Sequence, residues 1–167
     1  MLVLLVALLL AGSEPPAALD QAAIPNYKLL RKGLAVGGKP SPDALRQLKT
    51  QGFKTVIDLR TEGEGLAEEK AILEEQGLRY VSVPMTAATL KLDDALAVKR
   101  VLDDESTGPV LLHCHSSNRV GAVIAVLAAH SGKPLDEALD EGRAAGLTSP
   151  VLVDAVKRVV GEAAPRP

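Results

Sequence analysis

The chain has 167 residues, a formal net charge of −2 and only 2% aromatic side chains. One domain is the default at this length, and its core must be built from Leu, Val, Ile and Ala. A near-balanced charge with no basic stripe argues against a nucleic-acid partner. Lys28, Arg31 and Lys32 read as a solvated edge.

Residues 1–11 are apolar almost throughout, and Gly12, Ser13 and the Pro15-Pro16 pair then break the run. An apolar stretch of about ten residues suits the core of a signal peptide, while a bilayer span needs roughly 20. Ser13 stands where a lipidated cysteine would have to be, which rejects lipidation. The reading is a signal peptide over 1–13, a Pro/Ala-rich linker over 14–25 and a catalytic domain over 26–163. It implies export, to a periplasm, with no stable membrane span in the mature form.

The elements then follow in order. Residues 27–36 read as a first edge strand with a turn at Lys32-Gly33. Ser41-Pro42-Asp43 is a helix start, with a cap, a proline at the first helical position and an early acid. Leu45, Leu48 and Gly52 fit a short helix closed by glycine. Residues 54–59 form a buried strand rich in β-branched side chains. Residues 64–76 read as a helix with Ala67, Ile72 and Leu73 inward. Residues 79–83 alternate as a strand. Residues 93–104 form a helix with Leu96, Val101 and Leu102 as its apolar face. Residues 109–112 are continuously apolar, as in a parallel strand covered on both faces. Residues 119–131 are apolar nearly all round and predict a buried central helix. Residues 134–145 and 150–160 complete the helical cover. Strands alternating with helices make a three-layer αβα domain with a mostly parallel sheet.

The run His113-Cys114-His115-Ser116-Ser117-Asn118-Arg119-Val120 joins the last strand to the central helix and holds the only cysteine. A short loop of small polar residues at a helix N-terminus makes an anion cradle from backbone N–H groups. The same positive field favours a thiolate, so Cys114 reads as an activated nucleophile. Arg119 offers a planar fork for a tetrahedral anion. A lone cysteine cannot form a disulfide within the chain. Ligands in such sheets bind at the carboxyl ends of strands, so Asp58 or Arg60 should lie near the same rim.

The loop resembles that of the protein tyrosine/dual-specificity phosphatases, though those carry five residues between Cys and Arg and this chain has four. Four is the spacing of many rhodanese-type sulfur transferases. It is also that of the phosphatase-like domain of beta-lactamase-hydrolase-like proteins. The resemblance to that bacterial group extends to Gly37-Gly38-Lys39-Pro40-Ser41-Pro42 and Gly52-Phe53-Lys54-Thr55-Val56-Ile57-Asp58-Leu59-Arg60. It continues through Gly77-Leu78-Arg79-Tyr80-Val81-Ser82-Val83-Pro84 and Gly146-Leu147-Thr148-Ser149. It implies the dual-specificity phosphatase fold, with Cys114 and Arg119 catalytic. His115, Ser116, Ser117 and Asn118 would hold substrate, the last three through backbone N–H groups first. His113, Asp58 and Arg60 would support the loop, with His113 orienting it. The family often has glycine where Ser117 stands, and Ser or Thr where this chain has Val120.

Two reactions fit a thiolate in this cradle: hydrolysis of a phosphomonoester through a phosphocysteine, and transfer of sulfane sulfur through a persulfide. A non-catalytic module that binds anions or phosphoproteins is a third reading. The substrate is small and anionic or phosphorylated, and no partner protein is named. The phosphatases of this superfamily supply a general acid from the loop after the strand over 79–83. Here that loop, Pro84-Met85-Thr86-Ala87-Ala88-Thr89-Leu90-Lys91, holds no carboxylate. Asp93 and Asp94 read as helix caps. Glu62 and Glu64 read as solvated loop residues, with a substitute acid as the lesser alternative. His115 can touch substrate or face solvent, and His130 reads as structural. No cofactor is required, and no metal: His113 and His115 point apart along an extended segment, and no second ligand cluster exists.

Overall fold

The computed structural model describes residues 23–163. The proposed signal peptide and most of the proposed linker lie outside the described residues. A five-stranded sheet forms the middle layer. Its strands are β1 (Lys28–Arg31), β2 (Leu34–Gly37), β3 (Thr55–Asp58), β4 (Arg79–Ser82) and β5 (Val110–His113), in the spatial order β1-β2-β5-β3-β4. Only the β1–β2 hairpin is antiparallel; the other pairings are parallel. The expected edge strand over 27–36, with its turn at Lys32-Gly33, is thus a hairpin whose second arm lies inside the sheet.

Pleating assigns alternate residues to opposite faces. Leu34, Val36, Ile57, Val110 and Leu112 enter one core, with Val123, Val126 and Val156. Ala35, Val56 and Leu111 enter the other, with Leu45, Leu48, Phe53, Ile72 and Leu73. The first core is covered by helices α3 (Leu92–Asp103), α4 (Asn118–His130), α5 (Leu135–Ala144) and α6 (Pro150–Ala163). The second is covered by α1 (Pro42–Gln47) and α2 (Leu66–Glu75). The fold is therefore the expected αβα sandwich. Truncating a central side chain such as Leu112 to alanine should cost about 2–5 kcal/mol.

Local signals behave as their chemistry requires. The Ser41 side chain accepts from the Ala44 N–H, and Pro42 opens α1. The α4 helix lies close against α5 because Gly121 and Gly142 face each other. A Cβ on Gly121 would come within 2.5 Å of the Gly142 carbonyl oxygen. Among the described residues no helix is long and apolar enough to cross a membrane.

Four sequence expectations need correction. Residues 23–25 belong to the domain rather than a linker: Ile24 is fully buried, and the carbonyls of Ala23 and Pro25 accept from Ser41 and Gly38. The helix over 64–76 is broken at Gly65, which takes a left-handed φ of 77° between a 3-10 turn (Glu62–Glu64) and α2. In α2 the inward residues are Ile72, Leu73 and Glu69, while Ala67 is exposed. An interior ion pair, described below, draws Glu69 in. In α3 the buried positions are Ala95 and Val98, with Leu96 on the flank. Small side chains at the centre of that face let the helix lie close to the core.

Candidate active site

The loop over 114–119 leaves β5 at its carboxyl end and enters α4, beside the ends of β2 and β3. Cys114 is 1% exposed and packs in the first core with Val120. Each of the first four loop carbonyls is held by the protein. The Cys114 oxygen lies 3.3 Å from His113 Nδ1, and the His115 oxygen accepts from Lys39 N at 3.0 Å. The Ser116 oxygen accepts from Asn26 Nδ2 at 3.2 Å, and the Ser117 oxygen from Gly121 N at 2.9 Å. A trans peptide is planar, with its N–H opposite its C=O. With each carbonyl fixed, the direction of the N–H that shares its peptide is fixed too, and the antiparallel bridge between Gly38 and Ser116 ties the loop to the end of β2. The first N–H groups of α4 add the positive end of the helix dipole.

Two loop side chains serve the scaffold. Ser117 is buried with φ +70°, a conformation that favours glycine, and its Oγ donates to the Ala145 carbonyl at 2.9 Å. Gly146, at φ +110°, is pressed against it; a Cβ there would lie 2.7 Å from Ser117 Oγ. Asn118 Oδ1 accepts from Thr148 N and Ser149 N, both at 2.7 Å, and so braces the turn that leads into α6. Ser116 Oγ lies 3.4 Å from Asn118 Nδ2, and the His115 side chain is exposed.

Arg119 is clamped on its outer side. Its Nη1 and Nη2 donate to Glu64 Oε2 and Oε1 at 2.8 and 2.6 Å. Nη1 also donates to the carbonyls of Met85 and Leu59, at 3.1 and 3.3 Å. A guanidinium has five N–H groups. These partners take both hydrogens of Nη1 and one of Nη2. The Nε–H and the second Nη2–H remain, and together they form the side-on edge of the fork. Hydrogen bonding to Glu64, then the neighbouring Cys114, raises the Arg119 pKa. The bond to Arg119 holds Glu64 down to about 2, assisted by the N–H and hydroxyl of Thr61. Glu64 is therefore no solvated loop residue. Arg119 lies 55 positions away in sequence, and only the fold brings it beside the Thr61–Glu64 capping turn. Glu62 stays exposed.

Beneath the loop lies a buried charge network. Arg60 is 0% exposed and bonds both oxygens of Asp58, at 2.7 to 3.2 Å, and one oxygen of Glu69. Tyr80 donates to Asp58 Oδ2 at 3.0 Å. Burial would push Asp58 up, but the Arg60 hydrogen bonds and the neighbouring His113 hold it below the usual carboxylate range. Desolvation, with Asp58 beside it, pushes the Tyr80 phenol well above its ordinary value. Asp58 and Arg60 sit under the rim rather than on it, because each satisfies the other. Asp58, Glu69 and His113 form the one group of metal-capable side chains among the described residues, with ligand atoms within 4.8 Å of one another. The Arg60 guanidinium bridges the two carboxylates there and supplies the positive charge. Glu69 escaped the sequence reading because one more glutamate on an acidic helix carries no periodic signal.

The loop over 84–91 lies beside Arg119 but brings no acid. Asp94 Oδ2 accepts from Lys91 N at 3.0 Å, so it caps α3 as expected, and Asp93 is exposed. His130 is exposed in the last turn of α4.

A parallel αβα sheet whose central strand runs through a buried cysteine into a carbonyl-anchored loop, an arginine and a helix is the architecture of a cysteine-dependent phosphatase. The chain belongs to the family described as "DSP-PTPase phosphatase fused to NAD+ Kinase", which it matches over residues 23–152. Curated relatives include the beta-lactamase hydrolase-like proteins of Xylella fastidiosa (strain Temecula1 / ATCC 700964) and Agrobacterium fabrum (strain C58 / ATCC 33970). Each is 30% identical over 95 residues, which is 54% of this chain and 22% of the relative. The match thus spans about a fifth of the length of these curated relatives. Among solved structures, TpbA of P. aeruginosa aligns with a TM-score of 0.67 and 25% identity, covering 88% of this chain and 89% of its own. The core catalytic domain of the PP-IP phosphatase SIW14 from S. cerevisiae shares the fold, with a TM-score of 0.63 and 17% identity over 82% of this chain and 91% of its own.

Proposed function

We propose that this enzyme hydrolyses phosphomonoesters of the tyrosine or aryl type through a phosphocysteine on Cys114. The thiolate sulfur attacks phosphorus, the S–P bond forms and the P–O bond to the leaving group breaks. Water then cleaves the S–P bond and releases phosphate. The loop N–H groups and the side-on edge of Arg119 hold the equatorial oxygens as charge builds on them. The observation that carries this reading is Cys114, buried at the end of β5, in a loop with anchored carbonyls that runs through Arg119 into the N-terminus of α4. A crystal structure of TpbA contains phosphotyrosine, a ligand of the class proposed here.

The four-residue spacing between Cys114 and Arg119 favours sulfur transfer as the second reading. One experiment separates the two. The protein is assayed with p-nitrophenyl phosphate and, in parallel, with thiosulfate plus cyanide. Hydrolysis of the ester, lost in Cys114→Ser, is expected. No ester cleavage, with a one-sulfur mass gain on Cys114 that cyanide removes, would replace the phosphatase reading with a transferase. The apolar run at residues 1–11 supports export. Its test is whether residues 1–25, fused ahead of a reporter that works only outside the cytoplasm, give reporter activity in a bacterial host.

A further inference from the structure

We propose that Glu69 is a positioning residue that acts on the catalytic loop through His113. The proposal rests on the reading of the Cys114 loop as an oxyanion cradle. Glu69 stands apart from the other acids of α2: Glu68, Glu74 and Glu75 are exposed, and Glu69 is 3% exposed. A carboxylate taken out of water needs a partner. Asp58 already engages Arg60 through both of its oxygens, so the Arg60 charge has a full counter-ion without Glu69. Glu69 is the surplus carboxylate. Its free oxygen, Oε1, lies 2.7 Å from His113 Nε2, while the nearest Asp58 oxygen is 3.9 Å from the same nitrogen. The 2.7 Å contact is bent, so it acts as a close polar contact rather than a directed hydrogen bond.

The other ring nitrogen decides where hydrogen must sit. His113 Nδ1 lies 3.3 Å from the Cys114 carbonyl oxygen, which has no proton to give. That contact is attractive only with hydrogen on Nδ1. Nε2 then faces a carboxylate, and this second contact is attractive only with a proton between them. The Glu69 contact at Nε2 thus keeps the ring turned so that Nδ1 meets the Cys114 carbonyl. This carbonyl shares its peptide with the N–H of His115, which points the opposite way. A carboxylate on α2 therefore sets the first donor of the oxyanion loop without touching substrate. The groups that face His113 come from three elements: Asp58 from β3, with Arg60 just beyond it; Glu69 from α2; and the Cys114 carbonyl after β5. Tyr80 of β4 holds Asp58 in place.

The first test needs no variant. Nitrogen-15 NMR of the histidine side chains in the whole protein should find hydrogen on Nδ1 of His113. An Nδ1 that carries none overturns the proposal, and this holds whether or not any ester is cleaved. Failure of the function reading is therefore separable from failure of this one. The second test is kinetic, with p-nitrophenyl phosphate. Glu69→Gln should lower kcat about tenfold and leave KM within about twofold, because an interaction made in the transition state is lost rather than uniform binding. In a His113→Asn background the same substitution should change kcat by less than about twofold, because the two residues act as one unit. A wild-type kcat in Glu69→Gln, or the full tenfold loss repeated in the His113→Asn background, would show that Glu69 supports only the fold or acts by another route. If Glu69→Gln does not fold, the NMR measurement decides.

Discussion

Two loops share the rim of this sheet, and they are built for opposite purposes. The loop over 114–119 has its carbonyls tied back and runs into the N-terminus of α4, whose first N–H groups are donors for an anion. The loop over 84–91 presents acceptors. Its Met85 carbonyl holds Arg119, paired bonds between Thr86 and Thr89 close it into a compact turn, and Arg158 clamps the carbonyls of Ala87 and Leu90. In the proposed reaction one loop stabilises charge on phosphorus, and the other fixes the arginine but carries no proton for the leaving oxygen. The enzyme is therefore expected to be strong in oxyanion stabilisation and weak in general acid catalysis.

The largest effect should come from the nucleophile. Cys114→Ser should show no measurable turnover of aryl phosphate while still binding inorganic phosphate or tungstate, because the backbone cradle remains. Calorimetry on the variant checks the second half of that statement. Wild-type turnover in the variant would assign the chemistry elsewhere.

The missing acid should appear as a steep dependence on the leaving group. General acid catalysis typically supplies about 10²–10⁴-fold. Phenols with low pKa should leave readily, and alkyl esters such as phosphoserine should react slower by a factor of that order. A rate that barely changes across a series of substituted phenyl phosphates would mean that some group does deliver a proton.

Arg119→Lys should cost on the order of 3 kcal/mol in transition-state stabilisation, about 100-fold in kcat/KM. A lysine cannot bond Glu64 and two oxygens of a phosphate with one planar fork. Near-normal kinetics would reduce Arg119 to a structural role.

Glu64→Gln tests whether the outer clamp matters. It should reduce kcat/KM about tenfold, because Arg119 is then free to leave the Met85 and Leu59 carbonyls. An increase instead would mean that the carboxylate competes with substrate. The pH dependence has a defined sign. Glu64 is lowered from 4.5 to about 2 on folding, so its contribution to stability is complete above about pH 4.5 and is lost as pH falls through about 2. Thermal melts between pH 2 and 5 should show a smaller loss of stability on acidification in Glu64→Gln than in wild type. The smallest effect belongs to Asp93→Asn and Asp94→Asn, which should leave turnover of activated aryl esters within about twofold and, for Asp94, change stability by less than about 1 kcal/mol, because the asparagine oxygen can still accept from Lys91 N.

Much of this was readable in the chain. β-Branched residues over 54–59 and the apolar run over 109–112 announced buried strands, and Ser41-Pro42 announced a helix start, because these signals are local. Cys114 and Arg119 were legible for the same reason: loop, small residues and helix are contiguous. The role of Asn26 was not, because its partner Ser116 lies 90 residues away and no local rule couples them.

The sequence by itself determined the order of elements, the three-layer class and the position of the cysteine loop, since propensity, turn chemistry and hydrophobic period act over a few residues. Only the tertiary structure decided which glutamates matter. Glu62, Glu64, Glu68 and Glu69 stand within eight positions and are chemically alike, yet Glu64 clamps Arg119, Glu69 is buried against Arg60 and His113, and the other two are exposed. Their fates differ because a carboxylate is drawn in only where the folded chain sets a cation or N–H beside it.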